Sequence, residues 1–361
     1  MDSLEPRFLL LAGALAVGFI YGTVARASGF CLRSAVIEVI DRRPARQAAA
    51  WAIALPLAIL GTQILSYLGV IDLKDSIYLG SSVMWLALIV GGLLFGFGMV
   101  ITRGCGGRHL VLAAGGNLRA WLVIVVMALS AYATNRGILA LPRTWIEGAG
   151  TLSLGDTPQA LPLLIAGPEG AGTTALVIAG ALMILGAVAA LRLRTQPGAA
   201  GGIAAGLVVG LLISVGWYVS GVLGFDEFNP TRPVSLTFTT PMGNALQFLM
   251  TYTGTSADFG VTTIGGTLAG AFAWAAATRT LKAEGFDSPG HMARYALGAV
   301  MMGFGGVLAL GCTIGAGLSG MSTLSLGSLI ALASIVTGGA IGHHIKTRIV
   351  GGRAPKIVPA E

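Results

Sequence analysis

The decamer Gly96-Phe97-Gly98-Met99-Val100-Ile101-Thr102-Arg103-Gly104-Cys105 returns 207 residues later as Gly303-Phe304-Gly305-Gly306-Val307-Leu308-Ala309-Leu310-Gly311-Cys312. Six of the ten positions are identical, and both copies close on a Gly-Cys pair. Each copy ends an apolar run of the length a helix needs to cross a bilayer, about 20 residues. Seven further runs of this kind give nine in all: Phe8–Arg26, Ala48–Ile71, Val83–Thr102, Ala120–Leu141, Ala175–Leu193, Ile203–Val222, Phe259–Thr278, Tyr295–Leu310 and Thr323–His343. The repeated decamers close the third and the eighth. Spans five apart cross in opposite directions, so the pattern is an inverted repeat, which favours a pathway between the halves at the membrane midplane. The first half is then 1–142, an outer loop and connecting span 143–200, the second half 201–345 and a cytoplasmic tail 346–361.

Composition agrees with a membrane setting. Of 361 residues, 55% are hydrophobic and 10% charged, and mean hydropathy is +0.82. A soluble domain carries about 25% charged residues, so this chain cannot clothe a water-facing surface. Disordered, collagenous and nucleic-acid-binding chains are excluded on the same ground. The 55 glycines follow no G-x-y period. The net charge of +7 reads as loop asymmetry. Arg42, Arg43 and Arg46 follow the first span, and Arg103, Arg108 and Arg119 the third. Arg192 and Arg194 follow the fifth, Arg279 and Lys282 the seventh, and Lys346, Arg348, Arg353 and Lys356 the ninth. Acidic residues gather in the alternate loops, among them Glu147, Asp156, Asp226, Glu227 and Asp258. By the positive-inside rule the N-terminus lies outside and the C-terminus inside.

Four spans end in glycine- or proline-broken segments: around Cys31, around Cys105, at Asn229-Pro230-Thr231-Arg232-Pro233-Val234-Ser235, and around Cys312. Each leads to a half-helix too short to cross. These read as re-entrant loops, tolerated in lipid only where protein or a cavity surrounds them. Two loops enter from each side, and the expected shape is an hourglass.

All three cysteines sit in these loops, with no C-x-x-C pair. A half-helix N-terminus presents free N–H groups and a positive dipole end to an anion, and a thiol adds a soft S–H donor. An anion with a terminal sulfur suits that combination. The competing reading is that free cysteine is a small buried hydrophobe. His109 stands four residues after Cys105, but a zinc site would need four clustered ligands, so no metal and no cofactor is implied. Arg33, Arg103 and Arg108 border the inner loops as helix-end cations. No span holds a central Asp, Glu or Lys, so the usual proton or sodium carboxylate is lacking. The G-x-x-x-G pairs Gly92/Gly96, Gly206/Gly210, Gly266/Gly270 and Gly338/Gly342 predict close helix contacts.

Phe30-Cys31-Leu32-Arg33, Arg103-Gly104-Cys105-Gly106-Gly107, Arg232-Pro233-Val234-Ser235-Leu236-Thr237-Phe238 and Gly311-Cys312-Thr313-Ile314-Gly315 resemble the loops of the YeeE/YedE family. The likeness covers essentially the whole chain. It implies a bacterial inner-membrane sulfur transporter, not an enzyme, taking up thiosulfate or a related sulfur anion past three loop cysteines. Cys312 would be the outer station, Cys105 the central one and Cys31 the inner one. Gly104, Gly106, Gly107, Gly311, Thr313 and Ser235 would belong to the substrate-binding loops. The family also implies a TusA-like cytoplasmic sulfurtransferase as consumer of the sulfur. Two other classes stay open: a membrane thiol oxidoreductase, against which the missing C-x-x-C speaks, and a subunit of a sulfur- or selenium-handling complex.

Overall fold

In the computed structural model, residues 4–226, 231–286 and 288–351 are described. Glu227, Asn229, Pro230, Arg353 and Lys356 of the sequence reading lie outside them. The chain is helical almost throughout: α1 (Leu4–Ser28), α2 (Leu32–Ile40), α3 (Arg46–Tyr67), α4 (Trp85–Ile101), α5 (Gly106–Ala114), α6 (Leu118–Arg136), α7 (Ala140–Ala149), α8 (Leu161–Leu193), α9 (Ala199–Tyr218), α10 (Thr239–Met250), α11 (Phe259–Ala277), α12 (Pro289–Leu308) and α13 (Leu326–Gly351). Single π-helical stretches cover Val219–Leu223 and Gly315–Gly320. The only sheet among the described residues is a two-residue pairing of Ser82–Val83 with Leu152–Ser153. Side-chain caps start several helices: Asn117 Oδ1 accepts from the Ala120 N–H at 2.9 Å, and Asp258 Oδ1 from Val261 at 2.7 Å.

Among the described residues, eight segments are long and apolar enough to cross a membrane. All nine expected spans fall on helices, and α12 is the one outside that set. Its first turns carry His291, Arg294 and Tyr295, which dilute its hydropathy. It nonetheless lies along α4, with Gly91 against Gly305 and Leu308, and Gly98 against Gly298 and Met302. That register runs the two helices antiparallel. Two boundaries change. The fourth span ends at Arg136, where Gly137 caps it with extended backbone, rather than at Leu141. The segment 142–174, read as loop, is partly helical: α7 occupies its start and α8 begins at Leu161, breaking at Gly167 (φ +67) before Pro168. Proline without an N–H and glycine in the left-handed region account for the break.

Glycine sets the close pairings. On α1, Gly18 and Gly22 meet Thr263 and Thr267 of α11, while Gly206 and Gly210 of α9 meet Ala50 and Ala54 of α3. On α4, Gly92 and Gly96 face Ser334 and Ile335 of α13, whose Gly338 and Gly342 lean back on Leu93 and Phe97. These three pairs run parallel. All four G-x-x-x-G pairs therefore lie at helix contacts, with backbones close enough for the van der Waals packing that lipid-embedded helices rely on. The pattern has a symmetry. Exchanging α1 with α9, α3 with α11, α4 with α12 and α6 with α13 maps the α1–α11 contact onto α9–α3. It maps α4–α13 onto α12–α6 and α4–α12 onto itself.

One polar tie joins α13 to the end of α2. His343 Nε2 and Asp41 Oδ1 are 2.7 Å apart, and Arg43 lies 2.9 Å from the same carboxylate. The His343 hydrogen bond holds the Asp41 carboxyl below the usual carboxylate range. A depressed carboxyl contributes stability above its unfolded pKa and loses it as pH falls through the folded value. Asp41→Asn should therefore melt earlier than the parent at neutral pH, and the gap should close below about pH 4. Melting curves across that range check it; an unchanged gap in acid contradicts it.

Candidate functional site

Cys31 and Cys105 are the N-cap residues of α2 and α5, both nine-residue helices in extended-to-helical turns. The chain reaches Cys31 through Gly29 at φ +72, a left-handed turn that a side chain would strain. Buried Gln47 of α3 then clips the turn: its Oε1 accepts from the Cys31 N–H at 3.2 Å and its Nε2 donates to the Ser28 carbonyl at 2.9 Å. The turns before the other two cysteines match one another. Arg103 (φ +66) and Leu310 (φ +56), repeat-equivalent at the offset of 207, are both left-handed non-glycine residues. Such backbone costs about 1–3 kcal/mol and persists only where packing imposes it. Cys312 follows Gly311 (φ +150), and its Sγ accepts from the Gly315 N–H at 3.4 Å.

The three thiols are free, buried, and gathered in one core cluster with Tyr21, Phe30, Trp51, Tyr78, Trp217 and Phe238. The Cys31 and Cys105 thiols are neighbours, close enough to act on one another. The Cys105 thiol also neighbours the hydroxyl of Thr313, which is fully buried and forms no well-aligned hydrogen bond. Thr313 follows Cys312 directly in the chain, so the Cys312 turn reaches Cys105 through its next residue. The glycines keep this place narrow and bare. A Cβ on Gly107 would stand 2.8 Å from the Tyr21 hydroxyl and 3.2 Å from the Phe238 ring. One on Gly106 would meet Met127 at 3.0 Å, and one on Gly104 the His109 ring at 3.1 Å. The Ser235 hydroxyl is committed elsewhere, donating to the Ile213 carbonyl at 2.7 Å.

Several residues that the sequence reading passed over complete the site. Tyr21 lies near all three thiols and packs on Phe238 with ring centroids 5.1 Å apart. Tyr78 approaches Cys312, and its hydroxyl and that of Thr237 both lie against Gly315. Phe30 stacks on Trp51 at 5.3 Å. An aromatic inside an apolar span carries no local signal of its neighbours, so only the tertiary packing brings these out. Among the described residues no three His, Cys, Asp or Glu side chains converge to hold a metal ion.

A cavity of about 320 Å³ reaches the Cys312 turn at Leu310 and is lined also by Arg232, Ser235, Thr237, Pro241 and Asp258. Thr237 thus touches both the cavity and, through Gly315, the Cys312 surroundings. Arg33 and Arg108 stand close enough to Cys31 for charge to act between them.

Residues 27–341 match the family described as sulphur transport. The chain belongs to that sulphur-transport (YeeE/YedE) family. Among curated proteins it is similar to the thiosulfate transporter TsuA of Escherichia coli strain K12, 26% identical over 351 residues, covering 92% of this chain and 93% of that one. It is also similar to the thiosulfate transporter TsuA of Spirochaeta thermophila, 27% identical over 337 residues, covering 90% and 95%. The matched stretch takes in all three cysteine turns and both of these arginines. Membership of the family and the apolar helices make this a multi-pass membrane protein.

Proposed function

We propose that the protein carries thiosulfate across the bacterial inner membrane by handing its terminal sulfur from Cys312 to Cys105 to Cys31. The observation that supports this reading is the closeness of the Cys31 and Cys105 thiols, with Thr313, the residue after Cys312, beside Cys105. The anion enters from the outer cavity, drawn by Arg232. Its sulfonate end is met by hydroxyls (Thr313, Tyr21) and its soft end by S–H donors. No covalent bond is made at any station. Gly104, Gly106, Gly107 and Gly311 keep side chains out of the passage. The four broken segments act as re-entrant loops of two inverted halves, 1–142 and 201–345, and the exchange symmetry of the helix pairs supports that division. With the C-terminus cytoplasmic, Arg33 and Arg108 stand at the exit, and a TusA-like sulfurtransferase there consumes the arriving sulfur.

A consumer is needed on energetic grounds. Moving a dianion into an inside-negative cell costs about 4.6 kcal/mol at 100 mV, and no span offers a central carboxylate for proton coupling. A strain whose only sulfur source is thiosulfate, deleted for its own uptake routes, should grow when given this gene. Arg232→Gln should slow uptake severalfold at low thiosulfate and little at saturation, as expected when an attracting charge is removed. Equal slowing at all concentrations would place Arg232 in the folding of the outer loop instead. The thiol pair also supports a second reading, a membrane thiol oxidoreductase in which Cys31 and Cys105 close to a disulfide by passing two electrons and two protons to a quinone. Normal growth on thiosulfate with a permanently reduced pair excludes it.

A further inference from the structure

Where α4 and α13 end and α12 begins, the bundle holds a cavity of about 400 Å³. Phe97 of α4, Tyr295 of α12 and Ile345 of α13 give it apolar walls, and Arg103, Arg294 and Lys346 stand around them. Among the described residues that line it there is no Asp or Glu. Lys346 lies close enough to Arg103 and Arg33 for their charges to act on it. Like charges crowded in this way call for an anion. Arg119 also reaches the cavity, with its guanidinium already donating to the Gly285 carbonyl.

The two kinds of wall specify the anion further. A small inorganic oxyanion would be met by the cations but would leave water against the aromatic and aliphatic sides. A phosphodiester attached to acyl chain fits both, and the helix ends place the cations at the depth where headgroups lie. We infer that this cavity binds an anionic phospholipid, with the phosphate on Arg103, Arg294 and Lys346 and the first acyl carbons against Phe97, Tyr295 and Ile345. Arg103 gives the site a consequence for the centre. It is the left-handed residue two positions before Cys105, so a phosphate on its guanidinium bears on the turn that sets the central thiol. The binding itself does not depend on what the protein carries.

The test is native mass spectrometry of the full chain, released from detergent containing equal phosphatidylglycerol and phosphatidylcholine. The wild type should retain phosphatidylglycerol selectively. Each surface cation contributes about fivefold to such binding, so Arg294→Gln with Lys346→Gln should weaken retention about 25-fold by the same reckoning. The charge-preserving swap Arg294→Lys with Lys346→Arg should keep it, which separates charge from folding. Equal retention of both lipids by the wild type overturns the inference. So does unchanged retention in the double glutamine variant, or displacement of the lipid by excess sulfate, which would make this a site for a free oxyanion. Should the glutamine variant fail to fold, lipid preference and sulfate competition in the wild type still decide.

Discussion

Cys105→Ala is expected to abolish thiosulfate uptake while the protein stays folded and membrane-inserted. Alanine keeps most of the apolar volume and removes the S–H donor, so the folding cost should stay within about 1–2 kcal/mol. Uptake should fall by two orders of magnitude or more, because in the proposed relay Cys105 is the central station and has no substitute donor. That loss corresponds to about 2.7 kcal/mol or more of barrier. Cys312→Ala should impair uptake as well, with Thr313 and Tyr78 left to hold the anion. Cys105→Ser separates softness from hydrogen bonding: a hydroxyl still donates, and partial uptake would show that donation matters more than sulfur. Uptake per inserted molecule is the quantity to compare. Wild-type rates in both alanine variants would leave a pore selecting by helix dipoles alone.

The second large effect belongs to the glycine contacts. Gly270→Leu should yield no stable, monodisperse protein. A Cβ at Gly270 would lie 2.0 Å from the Phe19 carbonyl oxygen, and both are backbone-anchored, so the clash can be relieved only by separating α1 from α11. Overpacking by single methylenes costs about 1–3 kcal/mol, and leucine adds several. The control sits five residues earlier on the same helix. Nothing lies within 4 Å of a Cβ at Gly265, and Gly265→Leu should purify and melt like the parent. Size-exclusion profiles and melting temperatures of the two variants compare them directly. A well-behaved Gly270→Leu would show that the α1–α11 contact is not as tight as described.

The path of the chain was largely legible before any coordinates, and the reasons lie in particular residues. Lipid admits few solutions for a backbone, so apolar length alone marks helices. Of the nine runs, only α12 falls short by hydropathy, because His291 and Arg294 sit in its opening turns. The Gly-Cys repeat marked α4 and α12 as equivalents, and matching left-handed turns at Arg103 and Leu310 lie directly behind it. G-x-x-x-G spacing picked out the faces of α1's, α3's and α4's partners. What sequence did not disclose is convergence. Tyr21 sits in an ordinary apolar span, Gln47 reads as a polar residue at a helix start, and Thr313, named there with its loop, carried no sign that it neighbours Cys105. Each matters through a neighbour far away in sequence: Tyr21 through Phe238, Gln47 through Ser28 and Cys31, Thr313 through Cys105. The segment 142–174 failed for a local reason. Gly167-Pro168 resembles a helix end, and the chain resumes as helix on the other side.

The account rests on the thiols selecting an anion by its terminal sulfur. Uptake of radiolabelled thiosulfate and of sulfate by purified protein in liposomes compares two dianions of similar size and the same charge. They differ in one atom, and that atom is the one the proposed relay past Cys312, Cys105 and Cys31 would receive. Thiosulfate is predicted to enter and sulfate to stay outside, even when sulfate is in excess. Entry of both at comparable rates would contradict the account.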